Sequence, residues 1–121
     1  CLVSMGTTAS TVRTAVDEAR SRGVRMGSLR LRMFRPFPEA ALRRHLAGCR
    51  RVGVIDRDLC PGLGGIVWSE VRSTTPRGAI VQGYMMGVGG GDVRPAHVTG
   101  VVRDLLVRER DGAPEIVEVG Q

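Results

Sequence analysis

Ala79-Ile80-Val81-Gln82-Gly83-Tyr84-Met85-Met86, then Gly87-Val88-Gly89-Gly90-Gly91, then Val98, Val101, Val102, Leu105 and Leu106 at helical spacing set the pattern of the chain. The first run reads as a buried strand, the glycines as a loop, and the stripe from about Pro95 to Arg108 as a helix with one apolar face. The same order recurs three times upstream. Leu2-Val3-Ser4-Met5 ends at Gly6; Thr7 or Thr8 can cap a helix carrying Val12, Ala15, Val16 and Ala19 to about residue 22, where Gly23 stops it. Val24 to Phe34 reads as a second strand ended by Pro36, and Pro38 opens a helix with Ala41, Leu42 and Leu46 on one face and Gly48 at its end. Val52-Gly53-Val54-Ile55 is the third strand, followed by a loop over 57–64 and a helix over 65–75 with Ile66, Val67 and Val71. Four strand–helix alternations predict an α/β domain, three layers deep (α/β/α), with a mainly parallel sheet and right-handed crossovers.

At 121 residues one domain fits, and we place it over 1–108 with an acidic arm over 109–121. In the arm Asp111-Gly112 marks a turn, and Ile116-Val117-Glu118-Val119 reads as a short strand or an extended segment. A start at Cys1, without Met or a charged leader, reads as a segment of a longer polypeptide. No apolar run approaches the roughly 18 residues of a membrane span. All 18 basic residues are Arg, and the net charge is +6, positive over 1–108 and negative beyond. A basic body can attract nucleic acid, acidic lipid or a phosphate-bearing ligand, although a solvated arginine face or a partner contact is the commoner meaning. At 3% aromatic residues, base stacking has few platforms, so nucleic acid is disfavoured. Cys1, Cys49 and Cys60 have neither disulfide nor metal-ligand spacing and suit a reducing cytosol.

One strand departs from the pattern of a sheet covered on both faces. Leu29, Leu31 and Met33 alternate with Arg30, Arg32 and Phe34. Burying two unpaired guanidinium groups costs several kcal/mol each, of the order of a buried ion's desolvation. That strand is therefore an edge, or another subunit covers it with acids. The other candidate motifs are mostly negative. Asp92 stands where a dinucleotide loop needs its third glycine after Gly87-Val88-Gly89, and Val67 does the same after Gly62-Leu63-Gly64. The chain has no Lys, which excludes a phosphate-loop ATPase. Asp56 and Asp58 flank Arg57 at a strand's carboxyl end; a local salt bridge is the simpler reading and acid–base chemistry the sharper one.

Three stretches together resemble the second domain of the 2-oxoacid:ferredoxin oxidoreductases, in the α chain or its equivalent in fused enzymes. They are Leu29-Arg30-Leu31-Arg32-Met33-Phe34-Arg35-Pro36-Phe37-Pro38; Val54-Ile55-Asp56-Arg57-Asp58 with Pro61-Gly62, Gly64-Gly65 and Glu70-Val71; and Gly87-Val88-Gly89-Gly90-Gly91-Asp92-Val93. Val3-Ser4-Met5-Gly6-Thr7 fits as well, so the resemblance spans about residues 2–108. Two positions depart from it. Arg94 precedes Pro95 where the family more often has a hydroxyl residue, which leaves the last helix without its usual cap. Gly91 stands where the family often has an arginine.

The resemblance implies a fold like the C-terminal domain of transketolase, with strand order second, first, third, fourth and an antiparallel strand from upstream of Cys1. It implies an enzyme that oxidatively decarboxylates pyruvate or another 2-oxoacid to acyl-CoA, using thiamine diphosphate, and passes electrons through iron–sulfur clusters to ferredoxin. Its thiamine site lies between other domains. The segment is expected to carry no catalytic, cofactor-binding or metal residue, to be inactive alone, and to shape contacts with a β subunit and other subunits or domains. Arg30, Arg32, Arg35, Pro36, Pro38, Asp56, Arg57, Gly64, Gly65, Glu70, Gly89, Gly90 and Asp92 are the residues expected to do so. Arg35 and Arg57 would clamp carboxylates or carbonyls, and the two prolines would fix the turn. Transketolase or a 2-oxoacid dehydrogenase β chain would share the fold but lack the Asp56-Arg57, Gly64-Gly65, Glu70-Val71 arrangement.

Overall fold

The structure, a computed structural model, describes residues 1–58, 63–75 and 77–119. Its elements are β1 (Leu2–Met5), α1 (Thr8–Ser21), β2 (Ser28–Leu31), α2 (Glu39–Leu46), β3 (Arg51–Asp56), α3 (Ile66–Thr74), β4 (Ile80–Met86), α4 (Pro95–Val107) and β5 (Glu115–Val117). Five strands form one sheet in the order β2-β1-β3-β4-β5, and every pairing is parallel. The first four follow the expected order, and β5 extends the sheet beyond β4.

Side chains alternate across the pleat, so each strand feeds two cores. Leu2, Ile55, Tyr84 and Met86 pack with Val12, Ala15 and Val16 of α1 and Val98, Val101, Val102 and Leu105 of α4. Val3, Val52, Val54 and Val81 pack on the other face with Leu42 and Leu46 of α2 and Val67 and Val71 of α3. This is the three-layer α/β/α arrangement. Gly53 lets it close: a Cβ there would lie 2.7 Å from Leu2 Cδ2 and 3.1 Å from Leu105 Cδ2.

Two expectations need correction. The second strand is shorter than the span over 24–34 read from the sequence. It pairs only where β1 runs beside it, from Leu2 opposite Ser28 to Met5 opposite Leu31. Met26 is buried ahead of the strand, and Met33 is 56% exposed beyond it. The crossovers also do not share one hand. α1 and α4 lie on the same face, yet β1 to β2 steps toward one edge and β4 to β5 toward the other. The β4–α4–β5 connection is therefore opposite in hand to β1–α1–β2. Loops precede and follow α4, which relaxes the preference set where a strand feeds its helix directly.

The residues after α4 are held by β4. Gln82, fully buried, accepts from Gly112 N–H at 2.8 Å and donates to Ala113 O at 2.9 Å. Asp111 pairs with Arg72 at 3.3 Å, and Pro114 lies where a Cβ on Gly64 or Gly83 would fall. At the base, Tyr84 OH donates to Asp104 at 2.6 Å, and Arg108 bridges Asp104 and Glu115.

Candidate functional site

All five strands point the same way, so the loops after β1, β2, β3 and β4 gather at one edge of the sheet. In open parallel sheets this edge is where sites are built. β3 brings Asp56 and Arg57 to it. Asp56 is 3% exposed, and its carboxylate accepts from Val67 N–H and Trp68 N–H, each at 3.0 Å. A strand carboxylate thus satisfies the open first turn of α3. Gly65 makes room for it, because a Cβ there would sit 2.0 Å from Asp56 Oδ2. Burial pushes the Asp56 carboxyl up to about 6, against the pull of the Trp68 and Val67 N–H groups and with help from Asp58.

Arg57 turns the other way. Its Nη2 donates to Gly91 O at 3.0 Å and Gly87 O at 3.5 Å. Asp56 is thus held by α3, and Arg57 reaches the glycine loop. In that loop Gly87, Gly89 and Gly90 have φ of +70°, +81° and +100°. A Cβ on Gly87 would press 2.8 Å against Val93 Cγ2. Asp92 pairs with Arg94 at 3.0 Å, both exposed. At the start of α4 His97 Nδ1 accepts from Arg94 N–H at 3.0 Å, and His97 N–H donates to Arg94 O at 3.0 Å, so no side chain at position 94 caps the helix.

β2 delivers the proline turn. Arg35 lies 4.2 Å over the Phe34 ring and donates to Glu70 of α3 at 2.8 Å. Phe34 and Phe37 meet edge to face at 5.8 Å. The Arg35–Pro36 peptide is cis, and Pro38 precedes the first residue of α2. Arg30 on β2 and Arg32 just after it are exposed, and β2 is the outermost strand of the described sheet. Gly64 packs under Pro114 rather than facing the site. Pro61 and Gly62 of the quoted motif, like Cys60, lie outside the described residues.

The edge therefore gathers Arg35, Pro36, Pro38, Asp56, Arg57, Gly65, Glu70, Gly89, Gly90 and Asp92, and leaves Arg30, Arg32 and Gly64 apart. Sequence reasoning missed Gln82 and the Tyr84–Asp104–Arg108 chain. A glutamine inside an otherwise apolar strand was the available signal for Gln82. Among the described residues no three His, Cys, Asp or Glu are grouped to hold a metal ion.

The family described as pyruvate:ferredoxin oxidoreductase core domain II matches residues 1–98. The chain is 36% identical over 109 residues to pyruvate synthase subunit PorA of Methanothermobacter thermautotrophicus, covering 90% of this chain and 28% of that protein. It is 35% identical over 108 residues to the PorA of Thermotoga maritima, covering 87% and 28%. It is 31% identical over 106 residues to ketoisovalerate oxidoreductase subunit VorA of Pyrococcus horikoshii, covering 85% and 27%. The chain thus spans 28% or less of the length of these curated relatives. With the sheet order, the Arg35 turn and the Asp56–Gly65 cap in place, and a match that runs from β1 into α4, the chain belongs to the pyruvate:ferredoxin oxidoreductase core domain II family.

Proposed function

We propose that this chain is a non-catalytic, interface-shaping domain of a thiamine-diphosphate-dependent 2-oxoacid:ferredoxin oxidoreductase. Such an enzyme converts pyruvate or another 2-oxoacid to acyl-CoA and delivers the electrons to ferredoxin. The observation that carries this reading is the engagement of charge at the carboxyl edge. Asp56 is bonded to α3, Arg57 to two loop carbonyls and Arg35 to Glu70. Charges used in this way hold loops in shape. Met33 and Val88, 56% and 43% exposed in the loops after β2 and β4, supply apolar contact beside them. Pro36, Pro38, Gly89 and Gly90 fix the outline of those loops, and Asp92 and Arg94 rim it.

The grouping of residues described here does not fit an iron–sulfur cluster. We place the clusters, thiamine diphosphate and CoA on other domains or subunits, including a β subunit. Among the described residues no helix is long and apolar enough to cross a membrane, and Cys1 and Cys49 are free thiols. Free thiols suit a reducing compartment, and we place the enzyme in the cytoplasm. The test is the intact mass and cofactor content of the native protein purified without oxygen. Partner subunits, thiamine diphosphate, iron and 2-oxoacid-dependent ferredoxin reduction are expected. A lone chain without cofactors, or one carrying nucleic acid, contradicts the proposal.

A further inference from the structure

A recess of about 300 Å³ opens between the start of α1 and the β1–β2 edge, lined by Ser4, Ser10, Arg13, Ser28, Arg30 and Arg32 together with the apolar Ala9 and Leu29. Strand register puts Ser4 beside Arg30 and Leu2 beside Ser28, on the face that α1 covers. No carboxylate lines the recess. The side chains of Arg13, Arg30 and Arg32 make no hydrogen bond or ion pair among the described residues. Three unpaired guanidinium groups around one recess repel each other and favour an anion among them.

Two further observations point the same way. Ser4 is 1% exposed, lines the recess, and its hydroxyl has no partner among the described residues. The 14-residue α1 has no side-chain cap and no acid in its first turn, so its positive end is uncompensated.

We propose that this recess binds the phosphate group of a small phosphorylated ligand. Donors stand on three walls: Ser4 on the β1 floor, Ser28 and Arg30 on β2 with Arg32 just past its end, and Ser10 and Arg13 on α1. A tetrahedral phosphate presents acceptor oxygens toward all three, and a planar carboxylate toward two. The volume is at the lower end of small-ligand pockets, which suits a phosphate or diphosphate with a small body. Arg30 and Arg32 then answer to a ligand and not to a neighbouring subunit.

The test is calorimetric titration of the intact protein with inorganic phosphate and pyrophosphate, with no 2-oxoacid present, so that its outcome is independent of turnover. Saturable binding is expected. Arg30→Ala and Arg32→Ala should each weaken it about tenfold or more, the loss typical of one charge-assisted hydrogen bond. Ser4→Ala should weaken it several-fold. Arg110→Ala, an exposed arginine without a partner elsewhere, should leave it unchanged. Absence of saturable binding, or equal loss in Arg110→Ala, overturns the proposal. So does binding seen only after the other subunits are removed, which would show that a neighbour's carboxylates fill the recess.

Discussion

Asp56 ends β3 with both carboxylate oxygens on the first turn of α3, and that position governs its titration. Its folded pKa of about 6 lies above the ordinary 3.8. The folded chain therefore holds a proton there over a range in which the unfolded chain has lost it. Stability from this group is full below about pH 4, declines as pH rises through about 6, and is flat above. Denaturant melts from pH 7 to pH 5 should show the native chain gaining stability relative to Asp56→Asn. An unchanged difference would contradict the assignment. Asp56→Ala strands two N–H groups, and we expect a loss of about 1–3 kcal/mol by the same melts at pH 7. Gly65→Ala drives a methyl into the Asp56 carboxylate, and a loss of about 2 kcal/mol is expected from strain and displacement of the cap. Asp56 and Gly65 were visible in the sequence only as members of a motif. Alone, an Asp beside an Arg reads as an ion pair, because neighbours in sequence are the contacts a sequence displays. The bond from Asp56 to Trp68 crosses twelve positions, and only folding creates it.

At the level of strands and helices, periodicity located four strands and four helices to within a few residues wherever a helix covers the strand. β2 is the exception, since it pairs on one side only and its alternating pattern outlasts its partner. β5 was undecided because three residues carry little pattern, and what holds it in place is remote in sequence. That support is Gln82. Replacing it with leucine removes its bonds to Gly112 and Ala113. We expect a loss of about 2 kcal/mol and faster amide exchange confined to residues 111–117 and the facing part of β4. Uniform protection loss across the sheet would instead place Gln82 in the general core. Tyr84→Phe should cost about 1 kcal/mol in urea melts by unseating Asp104 from its shared contact with Arg108.

For the whole molecule, the α/β layering follows from the alternation of elements, and the family resemblance followed from motif order and spacing. The reversed hand of the β4–α4–β5 connection was not visible, because handedness depends on which face a helix takes and the apolar stripe of α4 fits either. The division of the arginines was equally hidden. Arg35 and Arg57 tie loops together, while Arg30 and Arg32 stand unpaired by a recess. The most direct measurement is native mass spectrometry of the assembled oxidoreductase carrying Arg35→Ala with Arg57→Ala, alongside kcat per intact complex. A domain that shapes contacts without taking part in chemistry predicts that activity falls only as far as assembled complex is lost, with kcat per complex unchanged. A fully assembled complex whose kcat has dropped a hundredfold would contradict it.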